Sequence, residues 1–144
     1  MSQFISMTMP ASFAGELTRG SFDNTTEVKA NDAAAPVSAF GVLVKFNATK
    51  NAVTPVTANT DSVLGFAVRV YHQAGNDVNV VTVLKRGYIA VEAPSGETIV
   101  PNAPVYSAAT GALTSVSSGT TALSGAVFNG PVSADGLVEV AYNI

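Results

Sequence analysis

The sequence predicts an all-β protein, a small sandwich or barrel of short antiparallel strands preceded by an extended N-terminal arm. Three observations carry this reading. From about Phe40 onward apolar side chains recur at every second position, the period of a strand with a buried face. Clusters of Gly, Pro, Asn and Asp interrupt that alternation every ~8–12 residues, a spacing typical of sandwiches and small barrels. The apolar content is small and β-branched, with 22 Ala and 21 Val among 144 residues, and β-branched side chains suit a pleated, half-buried surface.

Residues 1–36 are expected to form the arm and residues 37–144 the β domain. The arm holds all three methionines, Met1, Met7 and Met9, and places Phe4, Ile5, Phe13, Leu17 and Phe22 at irregular spacing. Pro10, Gly15 and Gly20 interrupt any long helix. Large apolar side chains without a period do not build a unit of their own. Such a segment lies extended across a surface, its own or a partner's; the alternative is a loosely attached strand and loop of the same domain.

Within the domain Val42, Val44 and Phe46 share one face, opposite Lys45 and Asn47, and residues 48–51 turn the chain. Leu64, Phe66, Val68 and Val70 share the next face, opposite Arg69, and residues 73–77 supply a second turn. In residues 78–83 the apolar phase slips between Val80 and Val81, which implies a bulge or a strand buried on both faces. Gly87 is expected to break the chain before a strand carrying Ile89, Val91 and Ala93 on one side. After a turn at 94–96, Val105 and Tyr106 lead through residues 109–111 to Leu113, a short hairpin. Residues 115–124, mainly Ser, Thr, Gly and Ala, read as a loop; residues 126–128 and 137–142 close the domain.

Composition excludes several functions. With no cysteine, a disulfide framework, thiol chemistry and cysteine-bound metal are absent. Seven Lys and Arg against ten Asp and Glu leave a net charge of -3. No basic stripe suits a phosphate backbone, so nucleic acid is not an expected partner. No apolar run approaches the ~18 residues of a membrane span, and the N-terminus lacks a secretory signal's charged and apolar regions. Only 12% of residues are charged and the mean hydropathy is +0.33. Such a bare exterior is expected to be covered by other chains.

No reactive constellation stands out. The single histidine, His72, follows Tyr71 at a strand end, without a distinctive nucleophile partner. The ten carboxylates are scattered singly; Glu92 and Glu97 flank a turn and are expected to be ordinary solvated charges. Phosphate-loop and calcium-loop spacings are absent. Neither catalytic residues nor metal ligands nor cofactors are expected. The one adjacent basic pair, Lys85-Arg86, offers a contact for an acidic patch on a partner. Tyr71, Tyr88, Tyr106 and Tyr142 lie in or beside strands, where they pack at core edges or, if exposed, stack on sugars or anchor an interface.

A resemblance sharpens this picture. Phe40-Gly41-Val42-Leu43-Val44, Asp61-Ser62-Val63-Leu64-Gly65-Phe66-Ala67-Val68-Arg69 and Gly75-Asn76-Asp77-Val78-Asn79-Val80 resemble the cement or decoration proteins of tailed-bacteriophage heads. So do Gly87-Tyr88-Ile89-Ala90-Val91, Ile99-Val100-Pro101-Asn102-Ala103-Pro104-Val105-Tyr106, Thr110-Gly111-Ala112-Leu113-Thr114 and Gly136-Leu137-Val138-Glu139-Val140. The match departs at Asn76, where Gly-Asp is usual, and at Asn102 and Ala103, where a glycine often precedes Val-Tyr. The resemblance implies a non-enzymatic homotrimer, made in the host cytoplasm, on the outside of the assembled capsid of a virion. There it would tie neighbouring major capsid protein subunits together. Phe4, Ile5, Met7, Met9 and Phe13 are then the expected apolar anchors of the arm, with Lys85 and Arg86 as a further partner contact. The alternative is a carbohydrate- or receptor-binding module on a virion surface, using the tyrosines.

Overall fold

A computed structural model describes residues 13–69 and 79–144. The described residues form nine strands and a single turn of 3-10 helix at Ser21–Asp23. The strands are β1 (Thr25–Ala30), β2 (Leu43–Phe46), β3 (Val53–Pro55), β4 (Gly65–Val68), β5 (Val80–Glu92), β6 (Pro104–Ser107), β7 (Leu113–Thr114), β8 (Thr121–Phe128) and β9 (Leu137–Tyr142). All pair antiparallel in the order β3-β2-β4-β5-β9-β8-β6-β7, with β1 added beside β5. The sheet curls into a half-barrel, in agreement with the all-β, antiparallel expectation.

Strand β5 makes the curl. Its first half pairs with β4 and β1, its second half with β9, so one 13-residue strand belongs to both halves of the molecule. The register against β1 jumps from Arg86 to Leu84, leaving Lys85 as a bulge that reverses which side chains face inward. Gly87 follows at φ 141°, a conformation favouring glycine, and a Cβ there would lie 2.0 Å from Asn24 Oδ1. That oxygen accepts the Tyr88 amide hydrogen bond at 2.9 Å. The expected break at Gly87 is therefore a bend inside a continuous strand, because pairing with β9 begins at Gly87 itself.

Two apolar clusters lie on opposite faces of the first half. Leu43, Phe66, Val68 and Leu84 meet Ile89, Val91, Val105, Phe128, Val138 and Val140 from the second half in the main core. Val37, Val44, Val53, Ala67, Val81 and Val83 form a smaller cluster behind it. This explains the irregular valines near residue 80: Val81 and Val83 face one cluster and Leu84 the other, as in a strand buried on both faces. Val42 and Leu64 pack against the smaller cluster, so Leu64 does not share the main-core face of Phe66. Asn31 closes that cluster: its Oδ1 accepts the Val37 amide at 2.8 Å, while Thr54 Oγ1 donates to Ala35 O at 2.8 Å.

The expected loop at 115–124 ends early. Ser107↔Thr121 and Tyr106↔Ala122 pair β8 with β6, and Leu123 is buried. Small polar side chains enter a strand here because the neighbour satisfies their backbone and one leucine supplies the inward contact. The hairpin of β6 and β7 forms as expected.

Candidate functional site

Phe4, Ile5, Met7 and Met9 lie outside the described residues, as do Tyr71 and His72. Phe13, the first described residue, is 53% exposed. Arg69 grips it: the guanidinium lies 5.0 Å from the Phe13 ring centroid and 4.9 Å from that of Phe40. Arg69 also donates through Nε to Ala14 O at 3.0 Å and through its amide to Gly15 O at 2.8 Å. Gly15 has φ 87°, and a Cβ there would strike the Phe40 Cβ at 2.4 Å. An arginine between two aromatic rings, over a glycine that permits close approach, clamps residues 13–15 onto the sheet.

The next residues are stitched to β5 through backbone pairs, Gly15 N to Ala90 O at 2.7 Å, Ala90 N to Glu16 O at 2.9 Å and Thr18 N to Tyr88 O at 3.2 Å. A polar pin follows. Arg19 meets Glu139 at 3.0 Å, with side-chain exposures of 17% and 9%, and its guanidinium lies 4.0 Å from the Tyr88 ring centroid. Thr18 Oγ1 donates to Glu139 Oε2, and Asn129 Nδ2 to Oε1 at 2.6 Å. The hydrogen bond to Glu139 outweighs the burial of Arg19 and raises its pKa. Glu139 thus collects three donors and ties residues 18–19 to β9. Asn24 completes the stitching, donating to Arg19 O and Gly20 O, each at 3.0 Å.

Lys85 and Arg86 sit elsewhere, at the β5 bulge opposite Thr25. Lys85 is half-buried, with its carbonyl accepting from Asn143 Nδ2 at 2.8 Å, while Arg86 is exposed. Phe22, noted in the sequence for its irregular spacing but not among the expected partner contacts, is 100% exposed just before β1. A phenylalanine between Ser21 and Asp23, outside any period, was the available signal. Sequence patterning did not find the Arg69 clamp, because residue 69 meets residues 13 and 40 only in three dimensions.

A groove of about 530 Å³ opens beside Phe40, between Gly41, Leu43, Ala93, Pro94 and Leu113. Glu92 and Glu97 stand on its wall. Glu97 accepts from Thr114 Oγ1 and, through Oε2, from the Ser115 amide and hydroxyl at 2.7 Å each. Desolvation pushes its pKa up, yet these hydrogen bonds prevail and hold it below the ordinary 4.5. A general acid needs the opposite shift. Because the folded-state value is depressed, Glu97 stabilises the fold above its unfolded pKa, and that contribution disappears as pH falls through the folded value. We expect Glu97→Gln to be less stable than wild type at neutral pH, with the gap narrowing below about pH 4.5. Urea titrations at pH 7 and pH 3 check this; a pH-independent gap counts against it.

Among the described tyrosines Tyr106 is half-buried on β6. Tyr142 is buried edge-on against Phe66, with centroids 5.3 Å apart, and Tyr88 is covered by Arg19. No three His, Asp or Glu side chains converge on a possible metal position among the described residues.

A solved chain from "The capsid of Myoviridae Phage XM1" superposes with a TM-score of 0.73 at 20% identity, covering 95% of this chain and 91% of that one. At that identity the likeness establishes a shared fold. No curated protein matches the sequence. The family model described as "Structural cement protein (E217 gp24/Pam3 gp6)" matches residues 1–143. This curled antiparallel β chain, matched over residues 1–143, therefore belongs to the phage structural cement protein family.

Proposed function

We propose that this protein binds the outside of an assembled phage head as a homotrimer and ties neighbouring major capsid protein subunits together through its N-terminal arm. Membership of the cement family carries the coarser part, a structural, capsid-stabilising role in the virion. The role of the arm is supported by the Arg69 clamp on Phe13, and the trimer and exterior placement are what the sequence resemblance implies. Arg69 holds Phe13 between the protein and the twelve preceding residues. A rigid root lets apolar Phe4, Ile5, Met7 and Met9 engage a partner without sacrificing the order of the sheet. Extended chain can add to a neighbour's strand edge by backbone hydrogen bonds, with alternate side chains entering pockets. Lys85 and Arg86, on a separate part of the surface, serve as a second contact for an acidic patch. Three such sites on one trimer act together, so modest contacts give strong retention.

Deletion of residues 2–12 tests this reading. All nine described strands lie between residues 25 and 142, so the shortened chain is expected to keep its β-sheet circular dichroism and thermal midpoint. In dilute solution its mass should remain three times that of one shortened chain. Its occupancy on purified heads, read by co-sedimentation, should fall at least tenfold. Undiminished occupancy would remove the arm from the binding surface, and a single-chain mass for the intact protein would remove the trimer.

A further inference from the structure

We infer that the outer edge of β1 is a self-association site, where β1 of a second copy pairs antiparallel about a twofold axis at Val28. Among the described residues β1 pairs with β5 alone, so its other edge presents backbone donors and acceptors to solvent. Proteins ordinarily guard such an edge with unpaired charge, proline, a covering segment or a short strand. Here the strand runs six residues, contains no proline and has its lysine neutralised: Lys29 Nζ lies 3.0 Å from Glu27 Oε2. Val28 is 65% exposed and Val80, on the neighbouring strand, 43% exposed; in register Ala30 faces Val80 and Val28 faces Thr82. Phe22, fully exposed, stands just before the strand. Edge and apolar strip coincide.

The charge pattern selects the occupant. In a symmetric antiparallel pairing centred on Val28, that residue meets its own counterpart, Thr26 meets Ala30, and Glu27 falls directly opposite Lys29, twice over by symmetry. Opposite charges directly across an antiparallel pair attract and like charges repel. The five residues Thr26–Ala30 are thus their own complement, as an isologous contact requires. Phe22 then stands at each end of the paired ribbon. The contact closes at two copies, so it is distinct from a threefold contact. If the cement reading above holds, it joins neighbouring trimers across the shell.

Because the chain lacks cysteine, single cysteines report on the contact directly. Opposed residues in an antiparallel ladder have Cα atoms about 4.5 or 5.5 Å apart, both within disulfide reach. Purified full-length Val28→Cys protein, mildly oxidised, is expected to give a covalent two-chain band on a non-reducing denaturing gel. Thr26→Cys alone should stay single-chain, whereas Thr26→Cys mixed with Ala30→Cys should cross-link. In sedimentation equilibrium Glu27→Lys and Lys29→Glu should each weaken this association about tenfold, and the double exchange should restore it. A single-chain Val28→Cys band overturns the proposal. Equal cross-linking by Thr26→Cys alone, or a double exchange no tighter than the single ones, overturns the register. The assay uses free protein, so its failure leaves head binding untouched, and loss of head binding on arm deletion leaves this contact untouched.

Discussion

Glu139→Ala is expected to cost about 3–5 kcal/mol and to loosen the arm root before the rest of the fold. The carboxylate is the shared acceptor for Thr18, Arg19 and Asn129, and its partner Arg19 is largely buried under Tyr88 contact. Removing it leaves a guanidinium and an amide without their acceptor, and breaking a buried pair costs more than the pair's net worth. The consequence reaches the arm because Thr18 and Arg19 join it to β9. Hydrogen exchange at the Gly15 and Thr18 amides, which bond to β5, should therefore accelerate more than exchange within β8 and β9. Head occupancy should fall as well, since the clamp at Phe13 rests on a root no longer pinned. A loss below 1 kcal/mol with unchanged exchange at those amides would reduce the cluster to surface decoration.

Phe66→Ala is expected to destabilise the whole domain by about 3–5 kcal/mol. Phe66 is fully buried between the two halves of the half-barrel and meets the Tyr142 ring edge-on at 5.3 Å. Its removal opens a cavity where β4 faces β9, and the interplanar angle of 80° shows an edge contact that alanine cannot replace. Against a typical total of roughly 5–15 kcal/mol, this loss unfolds a measurable fraction of molecules at physiological temperature. The urea midpoint should drop with an unchanged slope, because the surface exposed on unfolding is nearly the same. Val28→Ala is the control: an exposed valine should move the midpoint by less than about 0.5 kcal/mol in dilute protein.

Much of the sheet was legible because a strand writes its burial at a period of two residues. Ile89, Val91, Val138 and Val140 alternate inward as that period requires, and the resulting all-β reading holds. The same signal misreads β5. Lys85 adds a residue to one strand and Gly87 turns the backbone, so alternation before and after the bulge has opposite phase. A window of residues sees an interruption; the hydrogen-bond ladder continues. At β8 the reverse occurs. Its Ser, Thr, Ala and Gly carry almost no hydrophobic signal, and the strand exists because β6 and β9 offer it backbone on both sides.

The site was less legible than the fold. Phe13 stands out in the sequence as an apolar residue without a period, but the arginine that holds it lies 56 positions away. Glu139 reads as one polar residue in a valine strand, and its three donors come from both ends of the chain. Nothing local distinguishes Arg69 from Arg86, although one clamps the arm and the other stands exposed at a bulge.

Alone, the amino-acid order determined the class of secondary structure, the charge-poor exterior, the absence of thiol chemistry and the family to which the chain is akin. Each of these depends on composition or on neighbours a few bonds apart. Tertiary structure decided that one strand serves two halves, that Arg69 and Glu139 secure residues 13–19, and that the outer edge of β1 is unpaired among the described residues. Those outcomes depend on which distant segments share space, and backbone pairing sets that partnership without marking the individual residues that take part.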